Sequence, residues 1–399
     1  MFTTRLRFLT AGESHGPSLT GILDGMPAGL RLDEATLARD LARRQRGFGS
    51  GGRMKIEHDH ARLTGGVMAG STTGGPIAIS LPNIDHANWA ERDIAAMTVP
   101  RPGHADLTGA VKYGHRDLRL SLERASARES AMRVAIGACC RALLAEFGIT
   151  VGGYVTSIGD VDAGAADPSH DPSTYEERFA AAEANDVRCP DAAAAVRMHE
   201  AIAAVIADRD TLGGVVEVAA LHVPPGLGTY GQLDRRLDAR LAGALMSVPA
   251  VKGVELGLGF AVTRRRGTTA HDAIDSDGDE LVRPSNRAGG IEGGISNGLP
   301  IVVRAAVKPI ATTLTPQRSV DLATGQAAMT KYERSDFCQV PRAVPIAEAM
   351  VAIVLADALL EKLGGDSLEE IRPRLHALRQ TRVSHLPMHG APWRFGYGS

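Results

Sequence analysis

Two histidines in this chain are held in short turns flanked by glycine: His15 in AGESHG (Ala11 to Gly16) and His104 in RPGHAD (Arg101 to Asp106). An imidazole presented by a turn can give or take a proton near neutral pH. Ser14 stands beside the first, and the glycines there leave backbone N–H groups able to face an anion. Asp106 follows the second and could fix its tautomer. Arginine then recurs in three places. Arg43, Arg44, Arg46 and Arg53 lie in RRQRGFGSGGR. Arg124, Arg128 and Arg133 bracket Ser126 and Ser130 in ERASARESAMR, and Arg334 and Arg342 enclose Asp336 in RSDFCQVPR. A guanidinium offers a planar, two-pronged donor for carboxylate or phosphate. Arginines at the start of a helix oppose its dipole, and a bound anion would explain them.

Each cluster also has a plainer explanation. Basic residues cap helix C-termini, a histidine in a turn is usually a surface residue, and RSDFCQVPR could be a salt-bridged loop. NRAGGIEGGISNG (Asn286 to Gly298) is either a backbone wall for a flat ligand or a glycine-rich hairpin. KPIATT (Lys308 to Thr313) adds a cation and hydroxyls. The spacing of known metal sites is absent, and His58 and His60 read as surface residues. The glycine-rich loop near Gly47 has no Walker A pattern.

The elements that must carry these residues are legible in outline. Strands are expected at Pro76 to Leu81, Gly214 to Val223 and Pro300 to Val307, from β-branched alternation. Helices are expected at Asp33 to Arg46, Arg128 to Phe147, Asp191 to Ala207 and Ile346 to Leu363, several opened by a capping Asp or closed by Gly. Strands and helices are interspersed without regular alternation, which predicts an α+β fold of antiparallel sheets with helices packed outside. The 399 residues form one domain, with a surface excursion at 159–190 and a variable tail from about 366 to 399.

Bulk properties exclude some functions. A net charge of −2 and 4% aromatic residues argue against nucleic-acid binding. The N-terminus lacks a signal-peptide core, and no run approaches the ~18 apolar residues of a membrane span. Cys139, Cys140, Cys189 and Cys338 lack a zinc or redox spacing and read as buried, reduced thiols. The cytoplasm is the expected compartment.

Taken in order, the motifs AGESHG, DGMPAGL, STTGGPIAI, RPGHAD with KYG, SARES with MRVA, TLGGVVE, NRAGGIEGGISNG with KPI, and RSDFC with VPIAEAMV resemble the chorismate synthase family, most closely its actinobacterial branch. The resemblance implies a β-α-β sandwich in a homotetramer. It implies a carbon–oxygen lyase that converts 5-enolpyruvylshikimate 3-phosphate to chorismate by anti 1,4-elimination, the last common step toward the aromatic amino acids. Reduced FMN is required without net redox change, with NADPH only as a source of reducing equivalents.

By that resemblance His15 protonates the leaving phosphate, His104 serves the reduced flavin and Asp336 accepts a proton near it, with Ser14 and Ser126 in support. Flavin contacts fall at Arg124, Ala125, Ser126, Pro249, Ala250, Gly293, Lys308, Pro309, Ile310, Ala311, Thr312 and Arg334. Substrate anions fall to Arg44, Arg53, Arg128, Arg133 and Arg342. Ser50 stands where many members carry Arg, and Ala311 cannot offer the hydroxyl common in this family. The rival reading is a flavin-dependent oxidoreductase acting on an anionic phosphorylated substrate.

Overall fold

The structure is a computed structural model that describes residues 5–51, 59–164, 167–333, 335–386, 388 and 390. Its first sheet joins β1 (Arg7–Ala11), β2 (Ser18–Asp24), β3 (Arg62–Gly65) and β4 (Ile77–Pro82) in the order β1-β2-β4-β3. Every pairing is antiparallel. Period-two alternation sets its inner face: Leu19 and Leu23 of β2 and Ile77, Ile79 and Leu81 of β4 are buried.

The second sheet comprises β5 (Thr150–Ile158), β6 (Val161–Asp162), β7 (Gly214–Leu221), β8 (Val251–Leu256) and β9 (Ile301–Val307). Its order is β8-β9-β7-β5-β6, again antiparallel throughout. Strands β7 and β9 fall where the sequence places them, within two residues.

Helices α1 (Glu34–Gln45), α4 (Ser130–Ala145) and α8 (Val340–Leu363) form a layer between the sheets. Helix α4 lies under the first sheet, and α8 lies on the second. The α+β class and the β-α-β sandwich are as expected: these three helices are the middle layer, and other helices pack outside the sheets. A helix apolar all round, as α8 is, needs cover on every side, and only the space between two sheets supplies it. Gly137 of α4 permits the helix–helix crossing: a Cβ there would lie 2.3 Å from the Cβ of Ala349. Further helices among the described residues include α2 (Asp106–Tyr113), α3 (Arg119–Ala125), α6 (Ala192–Ala207) and α7 (Leu237–Met246).

Helix α5 (Pro172–Glu183) does pack outside. It covers the far face of the second sheet with Tyr175 and Phe179 against Tyr154, Leu221 and Val302. The 159–190 segment therefore carries a covering helix with a fully buried tyrosine. In the tail, α9 (Leu368–His376) buries Leu368 and Ile371.

Caps follow the sequence. Asp33 accepts from the Thr36 N–H at 2.8 Å and Asp191 from the Ala194 N–H at 2.6 Å. Helix α8 starts at Val340, six residues before its expected start, because Pro341 and Pro345 obscure its first turns. Pro345 has no N–H for the Pro341 carbonyl, and Nη1 of buried Arg188 donates to that oxygen instead at 2.6 Å. The same helix has mean hydropathy 2.1 over a stretch long enough to span a bilayer, contrary to the sequence expectation, yet that stretch is 94% buried inside the fold. The four cysteines are free and buried, and burial pushes the Cys139 thiol up to about 12.

Candidate functional site

A cavity of about 480 Å³ opens where the C-terminal end of α1, the N-terminal ends of α4 and α8, the turn before α2, the turn before β8 and the segment after β9 converge. That volume is in the range of small-molecule sites, about 300–1,000 Å³. Met246, Val248, Pro249, Ile310 and Ala311 give it an apolar wall. Arg44, Arg101, Arg128, Arg342, Lys252 and Lys308 supply cations. The chain's overall charge is near neutral, so this positive potential comes from local placement.

His104 lies on the cavity wall, and the reason is local. Gly103, at φ +74°, turns the chain so that the imidazole faces inward. His104 Nδ1 lies 2.6 Å from Oδ1 of Asp106 and 3.0 Å from Nη2 of Arg101. Only the carboxylate can accept, so the Nδ1–H donates to Asp106 and leaves Nε2 for proton exchange. Arg101 grips both oxygens of Asp106 at 2.8 and 2.9 Å and donates to Thr312 Oγ1 at 2.9 Å. Burial by itself would raise the Asp106 pKa. The hydrogen bonds and charges of Arg101 and His104 outweigh it and hold the carboxyl far below its ordinary value.

Asp336 also faces the cavity. Its Oδ1 accepts from the Gly51 N–H at 2.8 Å, and its Oδ2 is paired with Nη1 of Arg342. Nε of Arg342 donates to the carbonyl of Arg44 at 2.9 Å, so α8 closes onto the end of α1. Arg44 is anchored by Ser130 Oγ and the Ala127 carbonyl, both at 3.1 Å. The salt-bridged-loop reading of RSDFCQVPR holds for the Asp336–Arg342 pair, which lies on the cavity wall.

The opposite wall holds a strained corner. Ala250 has φ +74°, a left-handed conformation that costs a residue with a Cβ of order 1–3 kcal/mol. Its carbonyl accepts from the Lys308 N–H at 3.0 Å, which joins the Pro249–Ala250 corner to the 308–312 segment. Nζ of Lys308 reaches the Gly103 carbonyl. Burial, with Lys252 nearby, lowers the Lys308 pKa.

His15 does not line the cavity. Its Nδ1 lies 2.7 Å from Oε1 of Glu123, and its main-chain N–H donates to Oε2 at 2.8 Å. The ring leans on Trp89 with centroids 4.1 Å apart. The hydrogen bonds from His15 outweigh burial and hold Glu123 below its ordinary pKa. A hydroxyl pair joins this histidine's turn to the cavity: Oγ of Ser126, on the wall, donates to Oγ of buried Ser14 at 3.1 Å.

Of the residues singled out from sequence, His104, Asp336, Ala125, Ser126, Pro249, Ala250, Lys308 to Thr312, Arg44, Arg128 and Arg342 line one cavity. Besides His15 and Ser14, three others among the described residues do not. The guanidinium of Arg133 is spent on Glu129 and Ser247. Arg124 is exposed and reaches Thr10. Gly293 caps a hairpin between Ile291–Glu292 and Ile295–Ser296, so the glycine-rich motif is a set of turns around buried Asn286. Arg53, Arg334 and His58 lie outside the described residues.

Sequence reasoning missed Arg101, Lys252, Gln339 and Glu123. Arg101 carried a signal, since Arg and Asp five apart straddle the histidine. Glu123 carried none, because its contact spans 108 residues.

The chain matches the family model described as "Chorismate synthase" over residues 6–360. It is 54% identical to chorismate synthase of Syntrophotalea carbinolica, covering 94% of this chain and 97% of that one. It is 51% identical to that of Aquifex aeolicus, covering 92% and 96%. A crystal structure of chorismate synthase superposes with a TM-score of 0.78 at 44% identity, covering 94% and 97% of the two chains. An actinobacterial leaning is not supported, since the similar relatives include members of the Deltaproteobacteria, Aquifex and Chlorobi. The chain belongs to the chorismate synthase family, whose members are carbon–oxygen lyases.

Proposed function

We propose that in this member of the chorismate synthase family the cavity binds 5-enolpyruvylshikimate 3-phosphate beside reduced FMN and expels phosphate to give chorismate. The observation that carries the reading is convergence: a histidine, a carboxylate, two serines and four arginines from separate segments face one half-apolar space.

The donor set fits both ligands. An apolar wall suits a flat ring, and guanidinium and ammonium groups suit the two carboxylates and two phosphates that cofactor and substrate bring together. Bound there, reduced flavin supplies the electron-rich ring that eases the elimination, with no net redox change.

The chain's own residues do the rest. Arg44, Arg128 and Arg342 hold substrate anions; Arg53, outside the described residues, is proposed for the same task. Ala125, Ser126, Pro249, Ala250 and Lys308 to Thr312 border the cofactor, together with Arg334. The substrate loses a ring proton and a phosphate, so one site must accept a proton and another must deliver one. Asp336 accepts at a carboxylate oxygen. His15 delivers to the leaving phosphate, with the Ser14–Ser126 pair as its link to the cavity. His104 exchanges a proton at Nε2. Each transfer is worth roughly 10²–10⁴-fold in rate. The working unit is proposed to be a cytoplasmic homotetramer, with NADPH serving only to reduce the flavin.

The test is anaerobic turnover with chemically reduced FMN, following phosphate and chorismate together. Equal appearance of both without NAD(P)H consumption supports the reading. Net consumption of a hydride donor per turnover would favour the oxidoreductase instead.

A further inference from the structure

Among the described residues, the cavity's arginines are backed by carboxylates. Arg101 is paired with Asp106 and Arg342 with Asp336. The third carboxylate, Asp59, has a side chain only 1% exposed and does not line the cavity; it sits behind the wall. Its Oδ1 accepts from Nη1 of Arg128 at 2.6 Å, and its Oδ2 lies 3.6 Å from Nη1 of Arg44. The Asp59 N–H donates to Oε1 of Gln45 at 3.2 Å, which fixes the carboxylate relative to α1.

We infer that Asp59 is a counter-charge that lowers the anion affinity of the Arg44–Arg128 wall, so that phosphate can leave once it has been released. The inference rests on the reading above that these two arginines take the substrate's anionic groups. A wall of unopposed guanidiniums would bind a phosphate product as readily as a phosphorylated substrate, and tight product binding slows turnover.

The geometry also fixes the sign of the expected effect. An Asp59→Asn side chain keeps an acceptor for Arg128 through its amide oxygen. Its amide nitrogen would face Arg44 across a gap already longer than a hydrogen bond. Arg44 is independently anchored by Ser130 and Ala127. The substitution therefore removes a charge and leaves the shape of the wall. A charge removed several ångströms from a bound dianion changes affinity by roughly tenfold or more at the effective dielectric of such a site.

The experiment is titration of the FMN-loaded enzyme with inorganic phosphate, by calorimetry and as an inhibitor of turnover, for wild type, Asp59→Asn, Asp59→Glu and Arg128→Gln. The expected result is that Asp59→Asn binds phosphate about tenfold more tightly, with a lower KM and no gain in kcat, while Asp59→Glu stays near wild type. A residue that served only to hold the fold would not tighten phosphate binding when replaced. Should Asp59→Asn not fold, Asp59→Ser carries the same expected sign.

A folded Asp59→Asn protein with unchanged or weaker phosphate affinity overturns the inference, and weakened binding in Arg128→Gln would then show that the reading of the arginines still stands. Unchanged phosphate affinity in Arg128→Gln overturns that reading, and the inference with it.

Discussion

The turns around His15 and His104 look alike in sequence and are built differently in space. Both histidines use Nδ1 to engage a buried or half-buried carboxylate, at 2.7 Å in one and 2.6 Å in the other. His104 finds its partner two residues away, and Arg101, three residues before it, clamps that partner. His15 finds its partner on α3, more than a hundred residues along, and leans on Trp89 from a third segment. One histidine is on the cavity wall, and the other sits behind a pair of serines. The same local pattern can thus present an imidazole directly or hold it one step back. What separates the two cases is whether the carboxylate comes from the turn itself or from the tertiary fold.

Removing either imidazole is the strongest way to break this comparison. His104→Ala and His15→Ala should each lower kcat by roughly 10²–10⁴-fold with smaller changes in KM, measured by anaerobic chorismate formation. A variant that kept full turnover would remove that histidine from the proton chemistry.

The carboxylates sharpen it. Asp106→Asn disturbs the His104 tautomer and removes the counter-charge of Arg101 in one step, so it should cost more than Glu123→Gln. About a hundredfold against about tenfold is the expected order, since both lose orientation but only the former unpairs a buried guanidinium. The reverse ranking would mean that the distant partner matters more than the local clamp.

Ser126→Ala tests the link. It removes the hydroxyl that joins the cavity to Ser14, and kcat should fall by about tenfold if that route serves His15, with His104 unaffected. Combining it with His15→Ala should then add nothing, because residues that act as a unit are not additive.

The smallest effect is on stability against pH. Asp106 and Glu123 both have carboxyl pKa values below normal in the folded chain. Such groups contribute stability that is fully present above the unfolded value, near 4, and is lost as pH falls through the folded one. Asp106, held lower, loses its contribution last. Melting curves below about pH 5 should therefore flatten in Asp106→Asn more than in Glu123→Gln.

Elements with their own caps and alternation could be read from the chain, as the positions of α1, α6, β7 and β9 show. The start of α8 could not, because a proline in its second turn is tolerated only where Arg188 takes up the freed carbonyl. Periodicity tells which face is buried but not what buries it, so the layer order was legible only through the motif resemblance and not from the alternation itself.

For the site, sequence alone determined which residue types were available and, through motif order, which family they belong to. It also offered the His104–Asp106 pair, whose members lie within one turn, although the clamp of Arg101 on that pair was seen only in the fold. The fold decided the rest. It placed Glu123 under His15 and Asp59 behind two arginines, took Arg133 and Gly293 off the cavity, and aimed Arg342 at Asp336. Hydrogen bonds and ion pairs act over a few ångströms, so a contact between distant residues exists only once the chain has been folded to bring them within that range.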